Sequence, residues 1–423
     1  MMVLQVPPLR SPDVPLHGDD HRGRGLAASD TYRLGIALVL VLLATTLDVP
    51  NVLDRGNALR YLLLLVPIGV LIMIRLRAPS SFIRRPEPAD VLLLLLWAIG
   101  LGGTLYGMSV NGTTATALAV FLPMSIAFLY LGTMQAISDA EARILLRMVA
   151  LAGAAYICLN ALVNASLIPG IDANQYRNAS LIFMALGIGA AIILHRWLRL
   201  VILVALEAFI FSTYPSGTSV LVFVAITVTF VMTAPRPSRV RPYVIAGLLA
   251  VAGIFVLVNF SASVEITSDY FSLVEKNDSN TTRLRAWGQG VDRFEASPLI
   301  GSGFSEAGVT TVTRPGGRGR FQIPFHNDYV FFLAGGGLVG FGLLAAWIVA
   351  TELIVLRGYG RLLESGQNEH AALLRVLLIG FNVFFVTAAF NPSMMGMSRS
   401  ASVFAVYALM MAVVASGVQR RVA

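Results

Sequence analysis

Long apolar runs alternate along the chain with short polar segments rich in arginine. A run of about 20 apolar residues is long enough to cross the hydrocarbon core of a membrane as an α-helix. The alternation therefore predicts an all-α polytopic membrane protein with about twelve transmembrane helices. The predicted spans are 34–50, 58–74, 90–110, 115–135, 144–168, 180–196, 198–213, 217–233, 243–260, 327–356, 371–390 and 400–418.

These spans divide the chain into tails, membrane helices and one large loop. Residues 1–33 lack the apolar stretch of a cleavable signal peptide and are expected to form a disordered cytoplasmic tail. Residues 34–260 hold the first nine spans, and 327–418 hold the last three. Residues 261–326 form the large loop, which is expected to contain short helices. Residues 419–423 form a second, short cytoplasmic tail.

The composition excludes a soluble protein. Of the 423 residues, 56% are hydrophobic and 13% are charged, whereas soluble proteins carry about 25% charged residues. The net charge of +8 comes almost wholly from arginine, which in a membrane protein indicates cytoplasmic loops rather than a nucleic-acid site. The single cysteine, Cys158, allows no disulfide within the chain, and no metal site or other cofactor is expected.

Arginine positions predict the orientation of the spans. With the N-terminus in the cytoplasm, the arginines of the short loops fall mainly on the cytoplasmic side, as the positive-inside rule requires. Both termini are then cytoplasmic. The cytoplasmic segments contain Arg22, Arg24, Arg33, Arg75, Arg77, Arg84, Arg85, Arg143, Arg147, Arg196, Arg199, Arg236, Arg239, Arg241, Arg357, Arg361, Arg375, Arg420 and Arg421. The short outer loops contain only Arg55, Arg60, Arg177 and Arg399.

The large outer loop does not follow this distribution, because it is rich in arginine. Long loops cross the membrane largely regardless of charge, so topology does not explain these residues. Within the loop, 282–295 has a helical pattern that places Arg283 in the first turn, on one face with Trp287, and Arg285 on the opposite side. An arginine near a helix start suits a phosphate or pyrophosphate. The alternative is a solvated amphipathic helix on the membrane surface.

His326 is the only histidine on the outer side, at the start of the tenth span. A histidine near neutral pH can take a proton from a hydroxyl during nucleophilic attack. Asn327 and Asp328 follow it, and Asp328 could orient the imidazole. The alternative is an interfacial histidine that makes only a structural hydrogen bond.

Further polar residues are expected on the same side of the membrane. Arg318 belongs to the stretch TRPGGRGRFQIPFHN, which is either a solvated basic loop or a mobile arm that contacts an anionic substrate. Arg177 is either a second clamp on that anion or an arginine that snorkels to the interface. Tyr214, in STYPSGTS, offers a hydroxyl where a helix breaks, or simply marks a turn.

Three segments of the large outer loop and the start of the tenth span together resemble the signature region of the O-antigen ligase and O-antigen polymerase superfamily. They are RLRAW, ASPLIGSGF and PFHNDYVFFLAGGGLVG, in that order. The positions that match the family pattern are Arg283, Trp287, Pro298, Gly301, Gly303 and His326. The topology with a late outer loop matches as well. STYPSGTS resembles the family's Ser-rich segment but lacks the arginine often found there, and Arg177 falls where the family often has an outer arginine.

The resemblance implies a GT-C-like glycosyltransferase of the bacterial inner membrane, with its active site facing the periplasm. The donor would be a glycan on undecaprenyl pyrophosphate, and the acceptor a sugar hydroxyl of lipid A–core in lipopolysaccharide synthesis. No metal or nucleotide is implied. His326 would be the general base, and Arg283, with Arg177 or Arg285, would hold the pyrophosphate. Asn327, Tyr214 and Arg318 are further candidates.

Other functions are compatible with the same sequence. An O-antigen polymerase and a protein O-oligosaccharyltransferase belong to the same superfamily and differ in the acceptor. A transporter or flippase of lipid-linked glycans belongs to another class. It would need ionisable residues along the spans, for which Glu207 is the main candidate, and it leaves the arginines and the histidine of the outer loop unexplained.

Overall fold

A computed structural model describes the part of the chain that carries most of the predicted spans. The described residues are 86–111, 124, 137–168, 173–213, 217–234, 279–304, 310–313, 320–323, 325, 327–389 and 397–419. Their helices are α1 (Pro88–Asn111), α2 (Asp139–Asn164), α3 (Ala173–Ile193), α4 (Trp197–Thr213), α5 (Gly217–Met232), α6 (Ser279–Ala296), α7 (Asp328–Glu364), α8 (Asn368–Ala388) and α9 (Met397–Gln419). Two strands, β1 (Thr310–Thr313) and β2 (Arg320–Ile323), lie between α6 and α7.

The helical, multi-pass prediction is confirmed. Helices α1–α5 and α7–α9 coincide with predicted spans. Four of the described helices are long and apolar enough to cross a membrane, namely α1, α2, α7 and α8. The predicted spans at 34–50, 58–74, 115–135 and 243–260, apart from Met124, and the N-terminal tail lie outside the described residues. The total of twelve therefore stays a prediction.

Helices α7, α8 and α9 run in alternating directions, and contacts at the two ends of the bundle establish this. At one end, the Ile137 amide donates to Ser416 Oγ at 2.7 Å, and the Ile137 carbonyl oxygen lies 2.6 Å from His370 Nε2. The start of α2, the start of α8 and the end of α9 therefore lie together, at what is called here the arginine end. At the other end, the loop end, the Tyr329 hydroxyl donates to the Phe385 carbonyl oxygen at 2.8 Å.

Helix α5 fits the same alternation. The Arg375 side chain of α8 donates to Thr233 Oγ1 at 2.6 Å and to the Phe230 carbonyl oxygen at 3.1 Å, so α5 finishes at the arginine end. These directions are the ones that the predicted topology requires. The arginine end is named for the arginines that were predicted to be cytoplasmic and that the structure describes at this end. They are Arg143, Arg147, Arg196, Arg199, Arg357, Arg361 and Arg375.

The core of the helical bundle forms around α8, which packs against α2, α3, α5, α7 and α9. Trp347 of α7 is fully buried, and its ring lies 5.3 Å from that of Tyr407 and 5.7 Å from that of Phe381. A Cβ at Gly153 of α2 would collide with the backbone of Gly187 in α3. Small residues therefore bring these two helices into close contact, as is common in membrane bundles.

A polar contact also crosses the bundle interior. The Asn382 side chain of α8 donates to Thr229 Oγ1 of α5 at 3.0 Å and lies beside the Glu352 carboxylate of α7. The sequence interpretation named Glu207 as the main ionisable residue within the spans and overlooked Glu352. Glu207 is buried on α4, with a fractional exposure of 4%.

The loop differs from its prediction in two ways. In place of short helices, the described residues contain one helix of 18 residues, α6, and an antiparallel pair of strands that places Thr310 opposite Ile323 and Thr313 opposite Arg320. Neither interpretation of the basic stretch predicted strands, although β-branched residues favour them. Helix α6 also begins at Ser279 rather than at 282, so Arg283 lies at the start of the second turn. The helix dipole acts mainly within the first turn. It therefore adds less to anion binding at Arg283 than the predicted first-turn position would.

Candidate active site

Helix α6 is fastened to the segment that precedes α7. The Trp287 indole N–H donates a hydrogen bond to the Phe325 carbonyl oxygen at 2.6 Å. These residues are 38 positions apart in sequence. One turn further along α6, a Cβ at Gly290 would collide with Val330 of α7 and approach the Phe325 ring. Glycine at that position therefore allows α6 to lie close against the start of α7.

Phe325 is the centre of this contact. Its side chain is fully buried, and the Arg293 guanidinium carbon lies 5.7 Å from the centroid of its ring. A cation above an aromatic face is attracted by the ring's quadrupole. Burial of the ring and the hydrogen bond to its carbonyl oxygen together hold the residue immediately before His326.

The residue after His326 is held equally firmly. Asn327 is the N-cap of α7, and its Oδ1 accepts hydrogen bonds from the backbone N–H groups of Tyr329 at 2.9 Å and Val330 at 3.1 Å. Tyr329 reaches α8 through its hydroxyl, which donates to the Phe385 carbonyl oxygen. The side-chain oxygen of Asn327, a candidate site residue from sequence, therefore serves as a helix cap. Asp328, in the first turn, is buried with a fractional exposure of 1%.

His326 itself lies outside the described residues, between these two anchored neighbours. Arg283 precedes Trp287 by four residues and so occupies the same face of α6, whereas Arg285 is on another side of the helix. The Trp287–Phe325 hydrogen bond thus ties the face of α6 that Trp287 occupies to Phe325, the residue before His326.

A second junction joins the turn after α6 to a break within α7. The backbone of α7 leaves helical geometry at Gly337, where φ is 57° and ψ is −155°. Residues 298–303 pair with the polar groups that the break exposes, and residues 298–303 with 334–339 are called here the turn–helix junction. Ser302 N–H donates to the Ala334 carbonyl oxygen at 2.9 Å, and Leu338 N–H donates to that of Pro298 at 2.8 Å. Two parallel bonds join Gly303 to Gly335 and Val339 to Leu299.

These bonds satisfy backbone groups that a break in a membrane helix would otherwise leave without partners. Glycine is required on both sides of the junction. A Cβ at Gly337 would lie 2.6 Å from the Gly301 nitrogen, and a Cβ at Gly301 would collide with the Gly335 backbone. A Cβ at Gly336 would lie 2.8 Å from Cζ of Phe304, whose buried ring closes the turn against α7. This pairing was not predicted from the sequence.

The remaining candidates are spread over the loop end. Arg177 lies on α3 near its first residue, Ala173, and α3 starts where α2 finishes, at the loop end. The described structure thus places the backbones of Arg177 and Arg283 at the same end of the bundle. Tyr214 and Arg318 lie outside the described residues, the latter between β1 and β2.

Sequence comparison agrees with this part of the molecule. Residues 200–345 match the family model described as O-antigen ligase, a stretch that starts within α4 and covers α5, α6, both strands and α7 as far as Ala345. It contains the Trp287–Phe325 contact and the whole turn–helix junction. Among curated proteins, no sequence matches the chain. The family match covers residues 200–345 of the 423 and supports membership of the O-antigen ligase and O-antigen polymerase superfamily.

Proposed function

We propose that the protein is an O-antigen ligase. It transfers a glycan from undecaprenyl pyrophosphate to a sugar hydroxyl of lipid A–core, at the periplasmic face of the inner membrane. The family match supports transfer of a lipid-linked glycan to an acceptor. The orientation is supported by the arginines that gather at the end of the bundle opposite the loop, as cytoplasmic arginines do.

The observation that carries the proposal is the hydrogen bond from Trp287 to the carbonyl oxygen of Phe325. It joins the helix that bears Arg283 to the residue next to His326. A transferase of this kind needs a cation for the departing pyrophosphate and a base for the incoming hydroxyl, held at a fixed separation. A solvated surface helix would need neither the buried Phe325 ring nor the bond to it.

The reaction is a displacement at the anomeric carbon of the donor. The acceptor hydroxyl oxygen forms the new bond to that carbon while the carbon–oxygen bond to the pyrophosphate breaks. His326 accepts the hydroxyl proton, and undecaprenyl pyrophosphate leaves with the electron pair. Arg283 stabilises the charge that develops on the leaving oxygen, which fixed arginines can do without a metal.

A second arginine completes the clamp on the pyrophosphate. Arg177 is the first candidate, because α3 starts at the loop end, and Arg285 is the second. Arg318, between β1 and β2 in sequence, is a further candidate that would contact the anionic donor from a mobile arm. Asn327 acts through the cap of α7, and the Tyr214 hydroxyl is a further candidate for contact with substrate.

The test is transfer by purified protein with undecaprenyl-pyrophosphate glycan and three acceptors in parallel. They are lipid A–core, a second lipid-linked glycan unit and an acceptor protein. The proposal requires product on lipid A–core, with and without a chelator. Product on only one of the other acceptors would assign the protein to the polymerase or the protein oligosaccharyltransferase branch. Movement of donor across vesicles without transfer would favour a flippase.

A further inference from the structure

A large cavity opens at the arginine end, far from the loop. Its volume is about 1210 Å³, and it lies between α2, α4 and the turn that joins α3 to α4. Helix α2 contributes Arg143 and Arg147, and the turn and the start of α4 contribute Arg196 and Arg199. Two separate parts of the chain therefore bring guanidinium groups to one cavity.

Most of this charge has no counterpart in the described part of the chain. Arg143 Nε lies 2.9 Å from Oε1 of Glu369, the one acidic residue among the described residues that line the cavity. For Arg147, Arg196 and Arg199, no carboxylate among the described residues lies within the 4.0 Å of an ion pair. The cavity thus has an excess of positive charge, which favours an anion.

Apart from His195, the rest of the described cavity wall is mostly apolar. Leu151, Ile202 and Leu203 line it, and Leu151 is 66% exposed on the outer face of α2. Leu198 and Trp197, at the start of α4, are 77% and 60% exposed. In a membrane protein, exposed apolar faces meet acyl chains, and tryptophan is enriched at the level of the lipid headgroups. A positive rim above an apolar wall matches an anionic amphiphile rather than a soluble anion.

The turn between α3 and α4 has the geometry that presents these groups together. The N–H of Arg196 bonds to the Ala191 carbonyl oxygen at 2.9 Å, and that of His195 bonds to Ile192 at 3.1 Å. His195 has a positive φ of 50°, which closes the turn tightly enough for α4 to begin at Trp197. Arg196, Trp197 and Arg199 consequently emerge within one turn, where the helix dipole adds further positive potential.

We propose that this cavity binds an anionic phospholipid of the membrane. Its phosphate lies among Arg147, Arg196 and Arg199, and an acyl chain follows the groove between α2 and α4 beside Leu151 and Ile202. By the predicted orientation, the lipid belongs to the cytoplasmic leaflet, where basic pockets between helices bind anionic headgroups. The site is at the opposite end from the proposed transferase site and does not depend on it.

Native mass spectrometry of the purified protein in detergent tests the proposal. The probes are phosphatidylglycerol and phosphatidylcholine with the same acyl chains. We expect one saturable phosphatidylglycerol adduct, bound at least about tenfold more tightly than phosphatidylcholine. The double variant Arg196→Gln/Arg199→Gln should lose about tenfold or more in affinity for phosphatidylglycerol. Equal binding of the two lipids by the native protein would overturn the site.

The matched control removes two exposed arginines from the same end but outside the cavity. Arg357→Gln/Arg361→Gln should retain the preference for phosphatidylglycerol, and an equal loss in both double variants would show general surface attraction instead. Inorganic phosphate and glycerol 3-phosphate test the source of the anion. Full displacement of the lipid by either at equal concentration would exclude a role for the acyl chain and overturn the lipid assignment.

A fluorescence measurement in lipid vesicles tests the same site without relying on affinities measured in detergent. Phosphatidylglycerol with brominated chains, at low fraction in phosphatidylcholine vesicles, should quench Trp197, and the quenched signal should disappear in Trp197→Phe. Brominated phosphatidylcholine at the same fraction should quench Trp197 less. Equal quenching by both lipids would contradict selective occupation.

Discussion

Trp287 donates its indole N–H to the Phe325 carbonyl oxygen at 2.6 Å and so ties the arginine-bearing helix α6 to the residue before His326. Because the acceptor is a backbone carbonyl oxygen, the hydrogen bond fixes the path of the main chain at Phe325 rather than the rotamer of one side chain. Phe325 is fully buried on one side of His326, and Asn327 caps α7 on the other. Both described neighbours of the proposed base are therefore held in place.

Trp287→Phe tests this positioning. The substitution keeps an aromatic ring but removes the donor, which should cost about 1 kcal/mol of stability. We expect a larger effect on chemistry, a roughly tenfold or greater fall in kcat with little change in KM for the donor, because a small displacement of reacting groups is costly. Trp197→Phe, at the opposite end, is the control. Unchanged kcat in Trp287→Phe would remove the positioning role.

Arg283→Lys tests whether the pyrophosphate site needs a planar, forked cation. Lysine keeps the charge but loses the bidentate geometry. We expect transfer to fall by about ten- to a hundredfold in Arg283→Lys, and further in Arg283→Ala, because stabilisation of the leaving group weakens. Initial rates at saturating acceptor measure this. Arg357→Lys should match the native protein, and a native rate in Arg283→Ala would argue against the clamp.

Asn327→Ala and Asn327→Asp separate a helix cap from a substrate contact. Aspartate can accept the same two backbone hydrogen bonds, whereas alanine cannot. We expect Asn327→Ala to lose about 1 kcal/mol of stability and part of the transfer rate, and Asn327→Asp to retain most of both. Thermal unfolding and initial rate are measured on the same preparations. Equal loss of rate in both variants, with stability intact, would point to contact with substrate through the amide.

Gly337→Ala tests the turn–helix junction. Gly337 has φ of 57°, and its missing Cβ leaves room for the Leu299 carbonyl group and the Gly301 nitrogen. Alanine should therefore cost about 1–3 kcal/mol in backbone strain, with a further loss from the collision, and lower the Tm by several degrees. Gly342→Ala, in the same helix with open space around it, should leave the Tm unchanged or slightly higher. A Gly337→Ala protein as stable as Gly342→Ala would contradict the junction.

The membrane helices were predictable because each one coincides with a long apolar run in the sequence. The arginines predicted their directions, and the contacts of Ile137, His370 and Thr233 at one end agree. The pairing of Gly337 with the turn at Gly301 was not predictable. Periodicity indicates where a helix continues. The break in α7 depends instead on hydrogen bonds to residues roughly 35 positions earlier, and a local sequence pattern carries no information about them.

Individual residues of the candidate site could be predicted from the sequence, but the contacts that bring their segments together could not. The spacing of Arg283 and Trp287 predicted that both lie on one face of a helix, and the structure has a helix over both positions. It could not indicate that Trp287 binds the backbone of Phe325, since this contact depends on how the loop folds back. The strands β1 and β2 were missed because a glycine- and arginine-rich stretch obscured their short β-branched and aromatic positions. Glu352 was overlooked because a single carboxylate hardly alters a long apolar run.

The most direct measurement is the transfer rate of His326→Ala with purified donor and lipid A–core. Loss of a general base should lower the rate by about 10²–10⁴-fold. Donor binding and thermal stability should stay close to native. His21→Ala, in the N-terminal tail, should transfer at the native rate. A native rate in His326→Ala, at matched protein amount and over the same time course, would contradict the assignment of the base.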